Sequence, residues 1–168
     1  MTPAPWAADE EGGDGGARLC DILSSGDRAA VMGLRRGPGQ DRYLDSMEEI
    51  FAGADEEQRA MPHPGAVRDT ETGALVGFAM ISDNIPLPMD DDLVGPYYLW
   101  KLLIDHRFQR CGYGAATLEA VVDYLRTRPG AGALYTSLVR LNASTVDSGP
   151  WAAGRPTTVR MCCRARAA

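Results

Sequence analysis

An α/β domain is predicted by three observations. The apolar run Tyr97-Tyr98-Leu99-Trp100-Lys101-Leu102-Leu103-Ile104 passes through a short turn, Gln109-Arg110-Cys111-Gly112-Tyr113-Gly114, directly into an amphipathic helix. Two helical segments precede it, and two strand-like segments flank the turn Thr70-Glu71-Thr72-Gly73. Strands and helices interleaved along one chain of this length fit a single core with helices packed on a sheet.

The elements follow in order. Residues 1–16, with Asp9-Glu10-Glu11 set among Gly, Ala and Pro, cannot bury a core and are predicted to be a disordered acidic tail rather than a targeting signal. Ala17 to Leu23 reads as a first strand. Ser24-Ser25-Gly26-Asp27 caps a helix that runs through Leu34, and Tyr43 to Arg59 reads as a second helix with acidic residues in its first half. Ala66 to Asp69 and Ala74 to Ile81 are strands on either side of a turn whose Gly73 suits a left-handed position. The second of these is apolar on both faces, so it is expected at the centre of a covered sheet. After the loop from Ser82 to Gly95, the run Tyr97–Ile104 is a strand with a polar exit at Asp105-His106-Arg107-Phe108. From Gly112 the period becomes helical. Ala115, Leu118, Val121, Val122 and Leu125 share one face and Glu119, Asp123 and Arg126 the other, until Pro129-Gly130 stops the helix. Ala133 to Val139 reads as a fifth strand.

Gly112 and Gly114 therefore stand at a helix start, where unpaired backbone N–H groups and the positive end of the macrodipole favour a phosphate. Residues without a Cβ let that phosphate approach the backbone. A P-loop is excluded because it needs a lysine after its second glycine, and the only lysine here is Lys101, upstream of the turn. A dinucleotide fingerprint fits poorly, since Thr117 stands where a third Gly or Ala should be. The motif Gln109-x-x-Gly112-x-Gly114, after an apolar strand and opening a helix, resembles the acetyl-coenzyme A pyrophosphate loop of the GNAT superfamily of N-acetyltransferases. The order of the preceding elements resembles that family as well, over residues 17–139. The segment from Gly95 to Asp105 with Gln109 and Gly112-Tyr113-Gly114 looks most like the branch that acetylates polyamines and similar small amines.

The resemblance implies a mixed central sheet flanked by helices and an acetyl-coenzyme A co-substrate. It implies that the turn amides of Gln109, Arg110, Cys111, Gly112, Tyr113 and Gly114 hold the pyrophosphate. The backbone of Leu102, Leu103 and Ile104 would serve the thioester carbonyl. Gln109-Arg110-Cys111-Gly112 departs from the family's Gln-Gly-Arg/Lys-Gly by exchanging the small and basic residues. The implied acceptor is a small-molecule primary amine, and a homodimer is compatible with the family.

Composition agrees. The 168 residues are 45% hydrophobic and 24% charged, enough for one core, and the net charge of −6 argues against nucleic acid while suiting cationic substrates. No 18-residue apolar stretch and no basic-then-apolar leader occur, so no membrane is expected and the cytoplasm is the expected location. Cys20, Cys111, Cys162 and Cys163 lack zinc spacing, so no metal is expected. His63 and His106 read as loop residues without a partner at recognisable spacing.

Residues 140–168 differ in kind, with five arginines, one aspartate and no lysine, glutamate, tyrosine or phenylalanine. A family member should continue from its fifth strand into a helix bearing a tyrosine, the usual acid for the departing thiolate, and then into closing strands. Asn142 stands near a position where many members place a cofactor-contacting asparagine, but that helix does not follow. A diverged terminus, a disordered extension and an out-of-frame stretch all remain open, and the composition favours the last. Tyr98 and Tyr135 are conceivable substitutes for that acid, although strand tyrosines more often pack than catalyse, and no catalytic residue is assigned. The alternative to a working enzyme is a truncated or degenerate member that binds coenzyme A without catalysis. For the acceptor, Asp83, Asp90, Asp91 and Asp92 lie in the loop before the cofactor strand, where they either attract a polyamine or simply face water.

Overall fold

The computed structural model of the chain describes residues 16–21, 25–86, 96–138 and 157–162. One sheet runs in the order β1 (Ala17–Asp21), β2 (Pro62–Asp69), β3 (Leu75–Asp83), β4 (Tyr97–Ile104), β5 (Ala133–Leu138) and β6 (Thr157–Cys162). Its neighbours are antiparallel except β4 and β5, which are parallel. A parallel step needs a crossover, and α3 (Tyr113–Arg126) supplies it. Helices α1 (Ser25–Met32) and α2 (Met47–Glu56) lie between β1 and β2 in the chain. The expected mixed α/β sheet with flanking helices is therefore present.

The sheet divides the core in two. On one face Val31, Leu34, Met47, Ile50 and Phe51 of the α1–α2 region meet Phe78, Met80 and Leu103. On the other, Val121 and Leu125 of α3 meet Ala79, Ile81, Tyr97, Leu99 and Leu134. Because both faces are covered, β3 is buried from Val76 to Ser82, which is why its sequence reads as a continuous apolar run. Each large side chain buried to this extent, such as Phe78, contributes about 1.5–3 kcal/mol over exposure.

Several boundaries differ from the sequence reading for identifiable reasons. The second helix is shorter because Ser46 and Glu49 form a reciprocal capping box at Met47, while 3-10 turns occupy Gln40–Arg42 and Gln58–Ala60. β2 starts at Pro62 rather than Ala66. Its prolines are tolerated because β1 ends at Asp21 opposite Gly65, so Pro62 and Pro64 lie where β2 has no β1 neighbour. His63 is consequently a strand residue, stacked on Tyr124 at 5.2 Å, and not a loop residue. On α3 the buried positions are Thr117, Val121 and Leu125, and Ala115 is exposed. Thr117 can be buried because its hydroxyl donates to Tyr113 O at 2.6 Å.

Sequence patterning assigned no strand to residues 140–168, whereas β6 pairs with β5 over its whole length, from Thr157 opposite Leu138 to Cys162 opposite Ala133. The β-branched start Thr157-Thr158-Val159 suits a strand, and the six residues are too few to show a period.

One irregularity shapes the site. The β3–β4 register steps from Met80–Lys101 to Ile81–Leu99, leaving Trp100 as an extra residue on β4. This bulge reverses the alternation of side chains. Tyr97 and Leu99 face α3, whereas Trp100 and Leu103 pack on the α1–α2 side.

Candidate active site

β4 and β5 form a fork. Their register comprises Tyr98–Tyr135 and Leu99–Thr136, with the Thr136 hydroxyl donating to Leu99 O at 3.1 Å. From the bulge onward β4 continues to Ile104 paired, among the described residues, with β3 alone. Asp105 N–H donates to Val76 O at 2.9 Å, and backbone groups alternate sides along a strand. The Leu103 amide therefore points to β3, while those of Leu102 and Ile104 point into the fork. Leu103 instead contributes its side chain to the core, at 2% exposure.

Beyond the fork, β4 exits through Asp105 and a 3-10 turn at His106–Phe108. Asp105 is fully buried, and accepts from Arg35 N at 3.0 Å and from Arg107 N and Nε at 3.0 and 2.8 Å. Burial alone would raise its carboxyl, but the Arg107 side chain, the Arg107 and Arg35 amides and the Arg107 charge outweigh it and hold it at about 2. Gln109 donates through Nε2 to both Ile104 O and Gln40 Oε1, each at 2.9 Å, and Gln40 Oε1 also accepts from Gly37 N at 2.7 Å. The Gln109 side chain is thus committed to bracing the turn against the α1–α2 connection. What it leaves for a ligand is its backbone.

The rest of the turn follows the same division. Tyr113 turns its ring away from the turn, donating through its hydroxyl to Asp69 Oδ2 at 2.9 Å and meeting Phe108 edge-on. Asp69 is held at about 2 by the amide and hydroxyl of Thr72, then by Tyr113. Cys111 is exposed with Sγ 3.5 Å from Gln109 O, and Arg110 is exposed at φ +63°. Gly112 takes φ +82° as the residue before the helix, and the first helical bond runs from Ala116 N–H to Gly112 O. The amides of Tyr113, Gly114 and Ala115 lie ahead of that bond, and a Cβ placed on Gly114 would meet nothing within 4 Å. Open approach to several amides at the positive end of a 14-residue helix fits a pyrophosphate.

On the α1–α2 side of the fork lies a cavity of about 520 Å³, lined by Arg35, Asp41, Asp45, Glu48, Leu103 and His106 among others. Lys101 reaches into this region from the bulge and ion-pairs with Asp45. Tyr98 and Tyr135, both half-buried, sit at the base of the fork. His106 adjoins the Asp105 carboxylate at 3.4 Å. Asp83 lies at the far end of the sheet, where it accepts from Tyr124 and Arg128 at 2.8 and 3.0 Å. Asp90 and Asp91 fall outside the described residues, as does Asn142. Among the described residues no group of three His, Cys, Asp or Glu is placed to hold a metal ion, and no helix is long and apolar enough to cross a membrane. Sequence reasoning missed the bracing pairs Asp105–Arg35 and Gln109–Gln40, whose partners are about seventy residues apart; the one local signal was a carboxylate directly after an apolar strand.

The model of the acetyltransferase (GNAT) family matches residues 28–146. The chain is similar in structure to the ribosomal-protein-S18-alanine N-acetyltransferase from Escherichia coli, at 23% identity and a TM-score of 0.51, over 76% of this chain and 70% of that one. Other similar structures are histone acetyltransferase HPA2 and related acetyltransferase from Corynebacterium glutamicum (16% identity, TM-score 0.48, 74% and 78% covered) and spermidine/spermine N-acetyltransferase SpeG from Vibrio cholerae (15%, 0.48, 76% and 71%). At these identities the likeness is one of fold. No curated protein matches the chain.

Proposed function

The chain belongs to the GNAT acetyltransferase family, and from that premise we propose that it transfers the acetyl group of acetyl-coenzyme A to the primary amine of a small, polyamine-like molecule. The observation that carries this reading is the fork. A strand edge that, among the described residues, faces no partner from Leu102 to Ile104, continuous with a helix-opening turn of accessible amides, suits an extended ligand ending in a pyrophosphate.

Acetyl-coenzyme A brings an acyl group already activated as a thioester. The Leu102 and Ile104 amides donate to its carbonyl and to the chain behind it; one such preorganised donor contributes about 2.7–4 kcal/mol to a transition state with a developing oxyanion. The amides of 109–114 hold the pyrophosphate, with Arg110 as the neighbouring cation. Tyr98 or Tyr135 gives the proton to the departing thiolate. An alkyl ammonium titrates near ~10.4, so the acceptor must shed a proton before attack, and Asp41, Asp45 and Glu48, which line the cavity together with Arg35 and Arg36, offer carboxylates on which a cationic acceptor can dock. The run from Asp90 to Asp92 would add to that field.

Calorimetry with coenzyme A and acetyl-coenzyme A, followed by initial rates on spermidine at rising salt, tests both halves. Binding heat, with a rate that falls with salt and in an Asp90→Asn, Asp91→Asn double variant, is the expected outcome. Heat without transfer to any amine would return the chain to the non-catalytic alternative, and no heat on a folded sample would remove the cofactor site.

A further inference from the structure

We propose that Lys101 is itself an acceptor, acetylated by the chain that carries it. The inference rests on the acetyl-transfer reading above. Lys101 is the only lysine in 168 residues, and it stands beside the Trp100 bulge of β4, two residues after the Leu99–Thr136 rung that joins β4 to β5. Its backbone neighbour Leu102 carries the amide that faces the fork, so the root of the side chain lies one residue, ~3.8 Å along the chain, from the edge where the acyl carbonyl is held. The flexible four-carbon side chain is 29% exposed and is anchored at its end by the ion pair with Asp45 on the cavity wall. An ammonium is thereby parked on a carboxylate in the space assigned to the acceptor amine.

The step balances without another reactant. The Lys101 ammonium gives one proton to the Asp45 carboxylate it touches, and thence to water. The freed lone pair on Nζ forms the N–C bond to the acetyl carbon as the C–S bond breaks, and the second proton leaving nitrogen ends on the departing thiolate. The products are an amide at Lys101 and the coenzyme A thiol. The modified side chain has no charge, so Asp45 loses its partner and the cavity becomes more negative by one charge.

The test uses the full chain, freed of prior acetylation and incubated with acetyl-coenzyme A labelled in the acetyl group and no other amine. Intact mass and peptide mapping are read over time, with calorimetry on the same preparation. We expect one acetyl per chain on Lys101, at a rate that saturates with acetyl-coenzyme A and does not depend on protein concentration. Lys101→Arg, which keeps the cation, should abolish it. Binding heat without label, label on the N-terminal amine alone, or Lys101 label that grows linearly with acetyl-coenzyme A and equally in unfolded protein would each overturn the inference and leave the cofactor site standing. No heat with a folded sample would overturn the acetyl-transfer reading, and this inference with it.

Discussion

Tyr98 and Tyr135 share one rung of the parallel step between β4 and β5, one residue before the two strands part. Directly paired residues of a sheet project to the same face, so both side chains leave the sheet on the face opposite the α3 layer. This places both hydroxyl-bearing candidates for a thiolate acid at the closed end of the fork. The Tyr98→Phe, Tyr135→Phe double variant is expected to lower kcat about 10²–10⁴-fold with little change in KM for the acyl donor. Single variants would identify the donor, and an unchanged kcat in the double variant would show that both rings only pack.

Arg110 holds a left-handed backbone at φ +63° without being glycine, a conformation that costs an L-residue about 1–2 kcal/mol. Arg110→Gly removes that strain and gains unfolded-state freedom worth about 0.4–1 kcal/mol, so a net rise in stability of up to about 1 kcal/mol is expected. Gly112→Ala at φ +82° should cost about 1–2 kcal/mol. Urea midpoints measure both, and a loss on Arg110→Gly would reveal a contact of its guanidinium that outweighs the strain.

Gly114 differs from Gly112, since it has no positive φ and open space around a Cβ. Gly114→Asp should therefore fold as the parent does yet lose coenzyme A affinity by at least tenfold, because it places a negative charge against the pyrophosphate. Cys111→Ala should leave affinity nearly unchanged. Equal tolerance of the two changes by calorimetry would show that the turn is not a phosphate cradle.

Acid should unfold the chain through two carboxylates. Asp69 and Asp105 both titrate at about 2 in the fold against an ordinary 3.8. The unfolded chain thus takes up their protons first, and the stability they contribute is complete above 3.8 and lost as pH falls toward 2. Asp69→Asn should flatten urea midpoints over that window and loosen the α3 start, which Tyr113 ties to Asp69. An unaltered acid slope in this variant would assign the effect to other groups.

The elements nearest the site were the most legible. The run Tyr97–Ile104 is β4 to the residue, and Gly112 stands at the helix start, because an unbroken apolar strand and a glycine turn are local signals. The fork could not be read from β4, since it depends on where β5 begins and how it registers. The Trp100 bulge was hidden for a related reason: seven of the eight residues of β4 are aliphatic or aromatic, so a lost alternation leaves little trace. Gln109 was legible as a site residue but not in its bracing role, whose partner Gln40 lies in a distant loop.

β6 changes what truncation should do. Removing everything after Val139 takes away the strand paired to all six residues of β5 and turns β5 into an exposed edge. A lower melting temperature and more aggregation are expected for chain 1–139 than for the full chain. Identical melting would mean that β6 adds nothing in solution.

Asp105 and Gln109 together work as a hinge pin. Asp105 grips Arg35, Gln109 grips Gln40, and both belong to the segment that joins β4 to α3. The α1–α2 connection, whose Arg35 lines the cavity of about 520 Å³, is therefore fastened at two points to the turn proposed to hold the cofactor. A ligand in that turn is expected to stiffen the frame of the cavity. Each ligand is then expected to tighten the other's binding by the same factor, which paired calorimetric titrations would measure.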